Sequence, residues 1–310
     1  MGELKLNILG CGSASPTPLR HPSCQIIDYR RRLLMIDCGE GSQTMMRRMS
    51  MPFNRLTNIF VSHMHGDHVL GIPGLLSTLD LHGCGGQVTV TLPEGGMKIM
   101  SQMIDYFCHD TSLDIRLQPV KGNGGIVAEL PGMTVEAFPL YHRIPCYGYI
   151  FRETPKPRHL RGDMMEFLKV PVYQRSAIKE GADYVSPDGQ VIPNDRLTTP
   201  PDVSVSYAYC SDTMFDERVA EAVKGVDVIY HEATYDSALE TQARKRGHSS
   251  ARQAARIAAM AGAKVLIIGH FSQRYTDAEI LVNEARAEFP GVIAASEGLQ
   301  IDLDNILKKK

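Results

Sequence analysis

Short apolar runs, broken by glycine, proline and charged residues, recur along this chain and predict an alternation of strands and helices. Leu4 to Leu9 reads as a strand that exits through Gly10-Cys-Gly-Ser-Ala-Ser-Pro, a tight turn without the spacing of a phosphate-cradling loop. Gln25 to Tyr29 and Arg32 to Ile36 read as a hairpin turning at Tyr29-Arg30-Arg31, and a helix follows from about Ser42 to Met49. Asn58 to Val61 is a buried strand, and Val69 to Leu81 an apolar helix despite Pro73 near its first turn. Further strands fall at Val88 to Leu92, Leu113 to Val120, Ile126 to Leu130, Met133 to Phe138 and Tyr147 to Phe151, with a helix from Met97 to Cys108. From Val203 to Cys210 onward strand and helix alternate, through helices at Asp216 to Val223, Ser250 to Ala261 and Thr276 to Glu288. The last strand, Leu299 to Leu303, precedes a basic tail, Lys308-Lys309-Lys310.

The stretch from about Arg152 to Asp202 breaks this rhythm, being irregular, charged and holding seven prolines. It predicts an insertion at about 152–202 within a single domain spanning residues 1–310. No internal repeat is long enough for a solenoid. A strand-rich half followed by a strand–helix half predicts two α/β lobes, with sheets facing each other inside and helices outside.

The chemistry concentrates at strand ends. Directly after Asn58–Val61 comes Ser62-His63-Met64-His65-Gly66-Asp67-His68, four metal-capable side chains within six residues. His63 and His65 can turn towards one ion while Asp67 and His68 face another, with Gly66 allowing the bend between them. Imidazole with carboxylate suits Zn2+, and Mn2+ or another divalent ion is compatible. A two-metal site needs more donors, and His142, Asp212 and His270 each follow an apolar strand, where α/β folds place their sites. The expected division is His63, His65 and His142 on one ion, Asp67, His68 and His270 on the other, and Asp212 between them. A water shared by two cations would be acid enough to act as a nucleophile at neutral pH.

Composition narrows the setting. With 310 residues, 43% hydrophobic and 22% charged, the chain has the makeup of a globular enzyme. A net charge of -2 excludes a global basic field, so any nucleic-acid contact must come from local patches. Seven cysteines form no C-x-x-C pair, which fits a reducing, cytoplasmic compartment. No signal peptide is evident, and no apolar run approaches membrane-spanning length.

These residues resemble the metallo-β-lactamase superfamily and, within it, the ribonuclease Z family of tRNA 3'-processing endonucleases. The likeness extends from Leu9-Gly-Cys-Gly-Ser to Ser296-Glu297-Gly298-Leu299. The H-x-H-x-D-H run marks the superfamily alone. Asp37-Cys-Gly-Glu-Gly-Ser-Gln43, His142-Arg-Ile-Pro-Cys-Tyr-Gly-Tyr149 and Ser211-Asp212-Thr213 are narrower, and most specific is His231-Glu232-Ala233-Thr234 with Gly247-His248-Ser249-Ser250. The resemblance implies a four-layer αβ/βα sandwich binding two zinc ions per subunit and cutting precursor tRNA, commonly as a homodimer. It implies His248 as proton donor to the leaving 3'-oxygen, oriented by Glu232, and Asp67 as both ligand and proton acceptor. The residues alone permit another reading, with His248 capping helix Ser250 to Ala261 and Glu232 in a surface salt bridge. Asp37 reads as support for a ligand rather than as one.

One departure concerns substrate. Many members of the family carry an RNA-gripping arm with a glycine- and proline-rich knob, and the insertion here has no clear counterpart. Lys156, Arg158 and Arg161 in the insertion, and Arg244-Lys245-Arg246 beside His248, are the cationic runs available for phosphates. Two rivals follow: a dinuclear-metal hydrolase of small phosphodiesters, and a non-catalytic RNA-binding protein retaining the fold.

Overall fold

Strands buried on both faces explain the continuous apolar runs. In the computed structural model, which describes residues 4–307, Leu33 and Met35 pack into a cluster with Met45, Ile72, Leu75 and Leu79 from the covering helices. Leu34 and Ile36, also fully buried, point the other way. On that opposite face the Gln25 side chain accepts a hydrogen bond from the Tyr207 hydroxyl, and Phe60 packs on Tyr149 and Phe151 with ring centroids 5.4 Å apart. A strand sandwiched between helices and a second sheet has no solvent face on which to place polar residues.

Two seven-stranded sheets result. The first runs Gln300–Asp302, Leu4–Gly10, Cys24–Tyr29, Arg32–Ile36, Leu56–Phe60, Gln87–Pro93 and Asp114–Val120. It is antiparallel up to the hairpin and parallel from Arg32–Ile36 onward. The second runs Val292–Ala294, Val265–Gly269, Val228–Glu232, Ser206–Cys210, Cys146–Glu153, Met133–Leu140 and Gly125–Leu130, its first four strands parallel. Helices Ser42–Arg48 and Gly71–Leu81 cover one outer face, and Ala251–Ala261 and Glu279–Glu288 the other. The result is the αβ/βα sandwich expected, and parallel strands bring their carboxyl ends to one rim.

Local chemistry sets the element ends. Ser250 caps Ala251–Ala261 through a capping box with Gln253, and Gly262 closes the helix in the left-handed region. Its buried face is mostly alanine, which lets the helix lie close to the sheet. The helix read as continuous from Val69 is two, Gly66–Val69 and Gly71–Leu81, joined at Leu70. The break sits where the chain presses on the Asp37 loop: a Cβ on Gly71 would lie 2.3 Å from the Gly39 carbonyl oxygen, and the Gly71 amide donates to Cys38 O at 2.9 Å. The second break in expectation is helix Glu240–Arg246, whose only buried residue is Ala243.

Residues 152–204, with Leu130–Met133, form a second compact unit. It has a small core of its own, Met165, Val170, Ile178, Tyr184, Ile192 and Leu197, built on helices Gly162–Phe167 and Arg175–Lys179 and two-residue strand pairs. Its cations are largely engaged internally. Lys156 pairs with Glu153 at 3.0 Å, Arg158 Nε donates to Thr198 Oγ1 at 2.7 Å, and Arg161 pairs with Asp163 at 3.1 Å. The basic tail Lys308-Lys309-Lys310 lies outside the described residues. Among those described, no helix is long and apolar enough to cross a membrane.

Candidate metal centre

Four strand ends deliver the predicted donors to one place. His63, His65, Asp67 and His68 follow Leu56–Phe60, His142 follows Met133–Leu140, Asp212 follows Ser206–Cys210, and His270 follows Val265–Gly269. The ring nitrogens of His63, His65 and His142 converge with the Asp212 carboxylate, and Asp67, His68 and His270 form a second group. His65 Nδ1 lies 3.0 Å from His63 Nε2 and 3.2 Å from His142 Nε2. Asp212 turns one oxygen to each group: Oδ2 is 3.7 Å from His63 Nε2, and Oδ1 is 3.2 Å from His270 Nε2 and 3.5 Å from His68 Nε2. All seven predicted donors are therefore adjacent.

The outer nitrogens are already committed, which fixes where the lone pairs point. His142 Nδ1 donates to the Gly247 carbonyl at 2.7 Å, His68 Nδ1 to Asp37 Oδ2 at 2.7 Å, and His270 Nδ1 to Thr234 Oγ1 at 2.9 Å. Each Nε2 is left as an acceptor facing the cluster. His68 Nε2, His270 Nε2 and Asp212 Oδ1 are buried and have no hydrogen-bond partner among the described residues. Orphaned acceptors converging in a buried site are costly unless a cation lies among them. This donor set, imidazole and carboxylate oxygen, fits two divalent ions.

The electrostatics favour this for three of the imidazoles and, without a cation, oppose it for His68. Burial pushes His63, His65 and His142 down, and the neighbouring imidazoles reinforce this, which favours the neutral ring that a metal ion requires. Burial would do the same to His68, but the field of Asp37, Asp67 and Asp212 outweighs it and raises His68 instead. Burial of Asp67 opposes ionisation, yet His68 and His270 hold it well below the usual carboxylate range.

Asp37 anchors the arrangement. Its Oδ2 accepts from His68 Nδ1, the Ser62 hydroxyl at 2.8 Å and the Tyr209 hydroxyl at 2.8 Å, while Oδ1 accepts from the Ser62 amide at 2.7 Å. Asp37 and His270 both hold left-handed backbone, φ 54° and 58°, a strained choice that turns each side chain sharply at its strand end. Asp37→Ala is expected to weaken metal affinity by about 10- to 100-fold, read by competition with a chromophoric chelator.

Beside the cluster, Glu232 Oε1 accepts from His248 Nδ1 at 2.9 Å and from the Thr213 amide at 3.0 Å. Glu232 is fully buried, so the alternative of a surface salt bridge does not hold, and Ser250 rather than His248 caps the following helix. Burial favours a neutral His248, but Glu232 and Asp212 overcome it and raise the ring to about 9. The same contact, opposed by burial, takes Glu232 down to about 2. Three supports escaped the sequence reading: the hydroxyls of Ser62, Tyr209 and Thr234. Thr234 donates to Glu232 at 2.6 Å while receiving His270 Nδ1, coupling the pair to the cluster. Its place in His231-Glu232-Ala233-Thr234 was the available signal.

A family model described as Anti-Pycsar protein Apyc1 matches residues 4–121. The solved structure of human tRNase Z, short form, shares the fold with a TM-score of 0.69 at 23% identity, covering 96% of this chain and 99% of that one. YhfI of Bacillus subtilis, a metallo-beta-lactamase fold protein, also gives 0.69, at 16% identity over 97% of this chain and 99% of its own. Ribonuclease Z of Bacteroides fragilis (strain YCH46) is 45% identical over 304 residues, 98% of this chain and 100% of that protein. Likeness at that level from end to end leaves one placement: the chain belongs to the ribonuclease Z family.

Proposed function

We propose that this chain is a metal-dependent endoribonuclease that removes the 3' trailer from precursor tRNA, leaving a tRNA 3'-hydroxyl and a trailer with a 5'-phosphate. The observation that carries this reading is the full-length 45% identity to ribonuclease Z. His63, His65 and His142 would hold one divalent ion, Asp67, His68 and His270 the second, with Asp212 shared. Zinc is the ion we assign, on the three-histidine donor set. Bound there, the ions supply Lewis-acid stabilisation of the phosphoryl oxygens and lower the pKa of the attacking water.

The chain's own residues supply the proton traffic. Asp67, ionised and accepting the Ala14 amide at 2.8 Å, is placed to take the proton of the attacking water. As the water oxygen bonds to phosphorus, the bond from phosphorus to the ribose 3'-oxygen breaks. That oxygen leaves as a poor, strongly basic group and needs a proton. His248, whose Nδ1 is held by Glu232 and whose protonated form that contact favours, donates it from Nε2.

The unit at residues 152–204 we assign as the RNA-binding insertion of a single domain. We also assign a homodimer, the family's usual assembly, and a cytoplasmic location. Seven free, buried cysteines suit a reducing compartment.

The test is a competition of substrates: precursor tRNA with a 3' trailer against bis(p-nitrophenyl) phosphate, with and without a chelator. Chelator-sensitive cutting of the precursor supports the reading. Rapid turnover of the diester beside intact precursor would make it a small-phosphodiester hydrolase, and neither activity would favour a non-catalytic RNA-binding protein. Metal removal is also expected to lower the thermal midpoint by several degrees. A ligand present at 1,000 times its Kd stabilises by about 4 kcal/mol.

A further inference from the structure

Gly247 joins two segments that carry unpaired positive charge. It ends helix Glu240–Arg246 in the left-handed region, φ 80°, and its carbonyl holds His142. A Cβ there would lie 2.6 Å from His142 Nδ1 and 3.3 Å from Arg143 Cγ, so the exposed Arg143 packs directly against the helix end. Arg244, Lys245 and Arg246 are exposed on the last turn of that helix. Lys245 and Arg246 line an open groove of ≈ 420 Å³ with Ala238, Leu239, Thr241 and Gln242.

None of these four cations has an acidic partner among the described residues. Among the carboxylates of the adjoining segments, Glu240 is paired with Arg252 at 3.1 Å and accepts from Ser250 at 2.9 Å, while Glu284 accepts from Ser237 at 2.7 Å and Asp236 from the Leu239 amide at 3.1 Å. Lys156, Arg158 and Arg161 in the other unit, by contrast, have internal partners. In a chain of net charge -2, Arg143 next to His142 and Arg244, Lys245 and Arg246 two to four residues before His248 put four cations without an acidic partner among the described residues beside the site, a local positive field.

We propose that Arg143, Arg244, Lys245 and Arg246 form a phosphate-binding rim that grips the RNA backbone where it enters the site. This rests on the ribonuclease reading and adds where the substrate is held. Phosphate contacts position a nucleic acid without reading its sequence, and they release counterions. Each contact therefore contributes to the salt dependence of binding.

The experiment measures affinity of the metal-loaded protein for a precursor tRNA made uncleavable by a methylphosphonate at the scissile linkage, across a salt series. The triple variant Arg244→Ala, Lys245→Ala, Arg246→Ala is expected to flatten the slope of log affinity against log salt by about 2 to 3, at ~0.7–0.9 per phosphate. Arg143→Ala, on a different segment, should flatten it by about 1 on its own and carries the test if the triple variant is misfolded. The charge-keeping exchange Arg244→Lys, Lys245→Arg, Arg246→Lys should restore the slope. Unchanged slopes, or no binding by the parent protein, would overturn the rim. Cleavage of ordinary precursor is scored in parallel: flattened slopes without cleavage keep the rim and sink the ribonuclease reading, and cleavage with unchanged slopes does the reverse.

Discussion

Asp212→Ala abolishes cleavage of precursor tRNA, with kcat/KM falling on the order of 10^4-fold, well beyond the ~10–100-fold cost of losing a residue that merely supports a ligand. The reason is geometric. Among the described residues, Asp212 is the one side chain that turns an oxygen to each donor group, Oδ2 to His63 and Oδ1 to His68 and His270. In the proposed arrangement its deletion would take a ligand from both ions at once, so metal content should fall towards one ion or fewer per chain. Steady-state kinetics with elemental analysis of the same preparation check both parts. Retention of two ions and near-parental rates would remove Asp212 from the centre.

His248→Ala lowers kcat by about 10^2- to 10^4-fold, the range for loss of a general acid, while metal content stays at the parental level. A precursor whose leaving 3'-oxygen is replaced by sulfur needs no proton, so on that substrate the variant should approach the parental rate. A purely structural defect would slow both substrates alike. The pH dependence has a definite sign. An acid works while protonated, so activity is lost as pH rises through the pKa of His248, which Glu232 helps to raise. Glu232→Gln removes that field, and the alkaline limb moves to lower pH. Folding of the metal-free protein follows the same linkage: the stabilisation from His248 is fully present below 6.5 and is lost as pH climbs through about 9.

The convergence of the candidate ligands was legible because they combine two local signals, an apolar strand and a metal-capable residue at its carboxyl end. His63, His65, Asp67 and His68 also sit together in sequence, and His142, Asp212 and His270 each follow their own strand. The supports were harder to read. Tyr209 reaches Asp37 across 172 positions, and a hydroxyl in a buried strand carries no periodic mark of its partner. The helix Glu240–Arg246 escaped because Glu-Thr-Gln-Ala-Arg-Lys-Arg offers a single apolar residue and so no stripe. It ends at Gly247, whose carbonyl holds His142. The break at Leu70 was hidden for a related reason: the close approach of Gly71 to the Asp37 loop is tertiary, and a glycine within an apolar run gives no sign of what presses on it.

The most direct test of the account identifies the ends produced by one cut. A precursor tRNA with a labelled trailer is incubated with the metal-loaded protein, and both fragments are mapped at nucleotide resolution with their termini assigned chemically. The account predicts a single chelator-sensitive cut at the base of the trailer, with a 3'-hydroxyl on the tRNA and a 5'-phosphate on the trailer. A cyclic or 3'-phosphate on the tRNA fragment would contradict it, because the bond broken would then be the one to the trailer's 5'-oxygen and His248 would have no leaving group to protonate.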